Sequence, residues 1–188
     1  MTQLDLLAPT ADLPPGFLYR PDLITADEEA KLVAQFAGLE FREFEFHGFL
    51  GKRRVVSFGF HYDFGQAQLR RVAPIPDFLL PLRGQAAVFA GLEPVQLEHA
   101  LVTEYMPGAA IGWHRDRRQF GDVIGLSFGA PCRFRLRRRS GDGWERKSLI
   151  LEPRSAYLLR GEVRRHWEHS IPAAEALRYS VTFRSLAP

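Results

Sequence analysis

The stretch GWHRDRRQFGD, residues 112–122, sets an imidazole and a carboxylate two positions apart, His114 and Asp116, among Arg115, Arg117 and Arg118. On an extended strand, residues i and i+2 point to one face, so both side chains can approach a single ion. A second histidine from elsewhere in the chain would complete the 2-His-1-carboxylate set of non-haem Fe(II) oxygenases, which leaves coordination positions open for reactants. Two candidates stand in RRHWEHSIP, His166 and His169, and spacing does not choose between them. His47, His61 and His99 precede the pair and read as ordinary partly buried or surface histidines.

The end of the chain carries a second signal. In LRYSVTFRS, strand alternation puts Arg178, Ser180, Thr182 and Arg184 on one face and Tyr179, Val181 and Phe183 on the other. A buried arginine needs an anionic partner, and a dicarboxylate offers two anionic groups. The two arginine Cα atoms lie roughly 20 Å apart at about 3.3 Å per residue, so long side chains must converge on a ligand between them.

These residues need a framework. A chain of 188 residues, 46% hydrophobic, can bury a proper core, and residues 13–188 read as one domain behind a loose, Pro-containing arm at 1–12. No apolar run approaches the roughly 20 residues of a membrane span, and no basic-then-apolar leader is visible. Cys132 is the only cysteine, which excludes an internal disulfide and fits a reducing cytoplasm. Net charge is +3, with the basic residues gathered in HRDRR (114–118) and RFRLRRR (133–139), runs of the kind that meet a polyanion.

TADEEAKLVAQFAGL predicts a helix, with Thr25 as N-cap, Glu28 completing a capping box and Gly38 just past the end. PDFLLPLRGQAAVFAG predicts a second between Pro76 and Gly91, despite Pro81. From about Val55 onward short β-type segments dominate: RVVSFGFHY, LEHALVTEYM, DVIGLSF, CRFRLRR, ERKSLILE, SAYLLRG and LRYSVTFR. Two helices followed by many short strands predict a mainly β fold, a jelly roll with helical support on one side.

Taken in order, LPPGFLYRPDLITADEEAKLV, KRRVVSFGFHYDFG, TEYMPGAAIGWHRD, IGLSFGAPCRFRLR, WEHSIP and RYSVTFR resemble the blocks of the AlkB family of Fe(II)- and 2-oxoglutarate-dependent dioxygenases, over roughly residues 13–186. The resemblance implies a double-stranded β-helix with iron in its mouth, held by His114, Asp116 and His169. It implies Arg178 on the distal carboxylate of 2-oxoglutarate, with Arg184, Tyr105, Ser180 and Thr103 facing the same cosubstrate. Thr103 stands where many members carry Asn. It implies oxidative N-dealkylation of alkylated bases in DNA or RNA by a monomer, a DNA-repair type of demethylation, releasing formaldehyde, succinate and CO2. Arg117, Arg118 and Arg133 would then meet the nucleic acid, and Tyr62, one of an aromatic series with Phe46, Phe58 and Phe60, would offer a stacking surface. Repair-type members carry an acid just after the metal Asp, whereas Arg117 and Arg118 occupy that stretch here, and an arginine cannot accept a hydrogen bond from an exocyclic amine. The same chemistry on a protein side chain or small molecule is the alternative; a non-enzymatic jelly roll is the third.

Overall fold

The computed structural model describes residues 13–46, 49–63 and 65–187, with the side chains of 44–46 and 49–51 left aside. The proposed arm at 1–12, and His47, lie outside the described residues. In chain order the elements are β1 (Phe17–Arg20), α1 (Ala26–Phe36), β2 (Arg42–Phe46), β3 (Phe49–Phe58), β4 (Phe60–Asp63), β5 (Gln68–Arg71), α2 (Leu80–Ala90), β6 (Leu97–Tyr105), β7 (Ile111–His114), β8 (Phe120–Gly129), β9 (Cys132–Ser140), β10 (Gly143–Leu151), β11 (Ala156–Leu159), α3 (Gly161–His166), β12 (Glu168–Ile171) and β13 (Arg178–Leu186).

The helices start and stop for local reasons. Thr25 accepts from the Glu28 backbone N–H while the Glu28 carboxylate accepts from the Thr25 N–H at 2.7 Å, the reciprocal capping box. Pro81 falls in the first turn of α2, where its missing N–H costs no helical hydrogen bond. Gly91 ends α2 at φ 65°, a left-handed cap that glycine adopts without steric penalty. Leu82, Ala86, Ala87 and Ala90 are buried.

A major sheet runs β1-β11-β8-β13-β6-β3-β2 and a minor sheet β10-β9-β12-β7; the strand pairings within both are antiparallel. This is the double-stranded β-helix, a mainly β jelly roll. Helices α1 and α2 pack on one face of the major sheet around Phe36, Phe128, Val181 and Phe183, with Phe36 edge-on to Phe128 at 5.3 Å. Burying each such side chain contributes about 1.5–3 kcal/mol. A second cluster, including Tyr105, Phe134, Leu136, Leu151 and Trp167, fills the space between the sheets.

The simple order of two helices and then strands is corrected by the structure. β1 precedes α1 and β2–β5 separate the helices, and β1 closes the far edge of the major sheet beside β11. These pieces are short or polar, and pairing with a neighbour fixes them more than their own pattern does. SAYLLRG also divides: its strand stops at Leu159 and α3 begins at Gly161. Among the described residues no helix is long and apolar enough to cross a membrane.

Candidate metal and cosubstrate site

β13 lies at the centre of the major sheet, between β6 and β8. Both of its edges are therefore paired, and its faces are covered by the helices on one side and by the minor sheet across the site on the other. The inward row Arg178, Ser180, Thr182, Arg184 stands in register with Tyr105, Thr103, Leu101 and His99 of β6. This double row floors a cavity of about 510 Å3, whose lining also includes His114, Asp116 and His169.

His114 is the last residue of β7, and Asp116 stands two residues beyond it in irregular chain. The pair thus shares the site without sharing a strand, contrary to the expectation of one strand face. β12 delivers the third group: His169 pairs in register with His114 across the minor sheet, their rings 4.2 Å apart. One potential ligand atom from each of His114, Asp116 and His169 lies within 4.8 Å of the others. His166 ends the short α3 and is exposed, outside this cluster. α3 ends at His166 and the chain turns extended at Trp167 before β12 begins, which leaves His166 in solvent and turns His169 inward.

Each group in the cluster is held by a neighbour. His114 Nδ1 lies 2.9 Å from the Gly112 carbonyl. A carbonyl can only accept, so Nδ1 carries the proton and Nε2 keeps its lone pair for a metal. Arg184 grips Asp116 Oδ1 through Nε at 2.8 Å and a terminal nitrogen at 2.7 Å, while Asp116 Oδ2 faces His169 Nε2 at 3.5 Å. One carboxylate oxygen is anchored and the other is turned toward the histidines.

Burial alone would raise the Asp116 pKa, but Arg184, with His169 and His114 behind it, holds the carboxyl far below the usual carboxylate range. Burial lowers both imidazoles, His169 to about 3 with His114 adding to the effect, so both are neutral near pH 7. Neutral imidazoles and an ionised carboxylate form the protonation state that metal binding requires.

Arg178 is 1% exposed. It donates to Ser127 Oγ at 3.0 Å and lies over the Tyr105 ring at 4.4 Å, while its Nε and one terminal nitrogen are buried with no hydrogen-bond partner among the described residues. A buried guanidinium with two unanswered donors fits an anion within the cavity. The donor set and this arginine therefore suit a divalent metal beside an anionic ligand. Arg184, expected to face the cosubstrate, lines the cavity but has nitrogens engaged by Asp116 and His99.

Among the other sequence-derived candidates, Tyr105, Thr103, Ser180 and Tyr62 line the cavity. Arg117 also lines it and lies over the Tyr62 ring at 5.0 Å. Arg118 and Arg133 do not line it; both are exposed, and Arg133 donates to Ser148 at 3.4 Å. Of the aromatic series, the Phe46 side chain lies outside the described residues, Phe58 packs into the helix-side core, Phe60 lies under Arg71, and Tyr62 lines the cavity.

Three residues escaped the sequence reading. His99, taken as ordinary, is buried and accepts from Arg184 at 3.2 Å; burial first, then Arg184, holds it well below the usual histidine pKa. Its signal was present, since His99, Leu101, Thr103 and Tyr105 alternate on one strand face. Arg53 enters from β3 opposite Tyr105, its pKa lowered by burial. Arg164 of α3 donates to the carbonyls of Asp116, Arg117, Phe120 and Gly121, bracing the loop that carries the carboxylate. No local pattern signals that role, because its partners are backbone oxygens more than 40 positions away.

A family model for the 2OG-Fe(II) oxygenase superfamily matches residues 19–184. The chain is 31% identical over 182 residues to the Alkylated DNA repair protein ALKBH8 homolog of Arabidopsis thaliana, covering 84% of this chain and 51% of that protein. It is 28% identical over 166 residues to the tRNA (carboxymethyluridine(34)-5-O)-methyltransferase ALKBH8 of Mus musculus, covering 85% of this chain and 24% of that protein. The chain thus spans about half the length of the plant relative and about a quarter of the mouse one. The solved structure "The structure of OsALKBH1" shares the fold, with a TM-score of 0.72 at 15% identity, over 92% of this chain and 98% of that one. A match that runs from β1 through Arg184 takes in the whole jelly roll described above, and the chain belongs to the 2OG-Fe(II) oxygenase superfamily, as an AlkB-like dioxygenase that uses Fe(II) and 2-oxoglutarate.

Proposed function

We propose that the protein oxidatively removes alkyl groups from nitrogen atoms of bases in DNA or RNA, with His114, Asp116 and His169 as the iron ligands. Arg178 neutralises the distal carboxylate of 2-oxoglutarate, and Tyr105, Thr103 and Ser180 line its berth. Held by these residues, Fe(II) and 2-oxoglutarate would supply hydroxylation of a C–H bond with O2 as the oxidant, one oxygen atom going to the substrate and the other to succinate as 2-oxoglutarate loses CO2; a hydroxymethyl group on nitrogen would then break down to the free amine and formaldehyde. The chain's own residues position, shield and select. Arg184 fixes the Asp116 carboxylate, the buried imidazoles stay neutral, and the walls of Leu126, Phe134, Leu151 and Ile171 exclude water from the inner cavity.

The observation that carries this reading is a three-group metal cluster and a buried arginine with two unanswered donors in one cavity. For the nucleic-acid substrate, support comes from the relatives: the plant protein is named for alkylated DNA repair and the mouse protein for a tRNA uridine. The Tyr62 ring among the cavity-lining residues offers a face on which an unstacked base can rest. A second reading is favoured by Arg117, a cation beside that ring where an acid would recognise a base amine: the same oxidation on a protein side chain or small molecule.

Succinate formation with Fe(II), 2-oxoglutarate and a panel of methylated oligonucleotides and peptides separates the two. Stimulation by an oligonucleotide supports dealkylation of bases, and stimulation by peptides alone supports the second reading. In the same assay His169→Ala is expected to be inactive and His166→Ala active; the reverse would overturn the ligand assignment.

A further inference from the structure

The arginines of RFRLRRR divide by strand alternation. Phe134 and Leu136 of β9 are buried toward the cavity side, so Arg133, Arg135, Arg137 and Arg139 stand on the opposite, outer face of the minor sheet. β10 adds Trp144 and Arg146 to that face through the register Trp144↔Arg139 and Arg146↔Arg137. β7 adds Trp113. The result is an alternating stack: Arg135 and Arg137 lie over Trp113 at 5.0 and 4.4 Å, and Arg137 and Arg139 lie over Trp144 at 4.1 and 4.7 Å.

This is more than a solvated basic strand. Five arginines share the face, and its one ion pair among the described residues is Arg137 with Glu168 at 2.7 Å. Arg139 and Arg146 are exposed and have no carboxylate partner among the described residues. An arginine stacked flat on an aromatic ring keeps its N–H fork at the edge, and the stack removes rotamer freedom before a ligand arrives. Alternate residues on a strand are about 6.6 Å apart, a step comparable with that between phosphates of an extended single strand. The stack also meets the catalytic cavity: Trp113 adjoins His114 and is itself part of the cavity lining, as is the exposed Arg115.

We propose that the outer face of the minor sheet, through Arg133, Arg135, Arg139 and Arg146 with Trp113 and Trp144, is a binding track for the sugar-phosphate backbone of a single-stranded nucleic acid. The track holds the strand outside the cavity and leads it past Trp113 toward the metal centre. It rests on the nucleic-acid substrate of the proposed function and adds where the strand is held. Fork-shaped cations match phosphate bidentately, and their repeat along β9, with each half-buried tryptophan holding two guanidiniums in place, suits the regularly spaced charges of a sugar-phosphate backbone.

The test is binding of a fluorescein-labelled, unmodified oligouridylate to the full chain, read by anisotropy across a salt series. The variant Arg133→Gln/Arg139→Gln/Arg146→Gln removes three exposed charges that no carboxylate among the described residues neutralises. A control, Arg20→Gln/Lys31→Gln/Arg42→Gln, removes the same charge from exposed positions elsewhere. At about 0.7 of log–log slope per phosphate neutralised on a single strand, the first variant is expected to lose about two units of slope and the control to keep the wild-type slope. Arg139→Gln and Arg146→Gln, made singly, should each lose about 0.7. Absence of wild-type binding, equal losses in both triple variants, or an unchanged slope in the first would overturn the track. Because binding is read without turnover, failure of the track and failure of the dealkylation assay are separate results.

Discussion

Removing the Arg178 side chain should move two measurements in opposite directions. Without an anion beside it, Arg178 is a buried cation offset, among the described residues, by one hydrogen bond to Ser127 and the face of Tyr105, with two donors unanswered. An unmade buried donor costs about 1–3 kcal/mol, and replacing a buried ion by an apolar side chain of similar volume is often neutral or stabilising. Arg178→Met should therefore leave the ligand-free protein as stable as wild type or more so. The same change deletes both charge-assisted hydrogen bonds to the carboxylate, about 1.5–3 kcal/mol each, so 2-oxoglutarate affinity should fall by roughly a hundred-fold or more. Thermal unfolding with and without 2-oxoglutarate, with Mn(II) as a redox-quiet stand-in for iron, reads both. At a hundred times Kd the wild type gains about 2.7 kcal/mol, which at about 2–4 °C per kcal/mol is a rise of roughly 5–10 °C; Arg178→Met should show almost none. Arg178→Lys should restore part of the rise, since a point charge replaces a fork. A ligand-free protein weakened by several kcal/mol that still responds fully to 2-oxoglutarate would refute the reasoning, because Arg178 would then be a structural residue.

The loop bearing Asp116 gives a second prediction: Arg164→Met strips a shared donor from four carbonyls and should cost about 2–4 kcal/mol after partial hydration, with a weaker metal titration. Arg164→Lys should recover only a fraction of either. At Gly125 of β8 a Cβ would collide with the Tyr157 ring, which lines the cavity; Gly125→Ala should lower both the melting temperature and 2-oxoglutarate affinity, and an unaffected affinity would show that Tyr157 can move away without cost to the site. His99 gives a pH dependence. Its folded pKa lies well below the unfolded value, so the unfolded chain binds more protons as pH falls through about 6.5, and stability is lost from there downward. His99→Gln keeps an acceptor for Arg184 and removes that titration, so urea unfolding of the variant should fall less steeply than wild type between neutral and acid pH.

What the sequence disclosed and what it hid follow from the range of the interactions. The metal pair, the Arg178–Arg184 row, the capping box of α1 and most long strands are written in local spacing, because strand alternation and helix capping act over two to four residues. The choice of His169 over His166 is of another kind. It depends on where α3 ends and on a cross-strand register with His114, and neither leaves a periodic trace in RRHWEHSIP. Arg184 shows the same limit from the other side. Alternation placed it on the correct face, yet its partner was set by Asp116, 68 positions earlier and delivered past the end of a different strand. The basic run RFRLRRR was legible as charge but not as two populations. Only the burial of Phe134 and Leu136 separates an inward-facing Arg138, paired with Glu145 and Glu162, from the outward row stacked on two tryptophans. A reading by residue type counted those arginines together with Arg117 as one substrate surface. The sheet divides them, with Arg117 at the cavity and the β9 row on the far face, so charge removed from one should alter catalysis and charge removed from the other should alter only how tightly a strand is held.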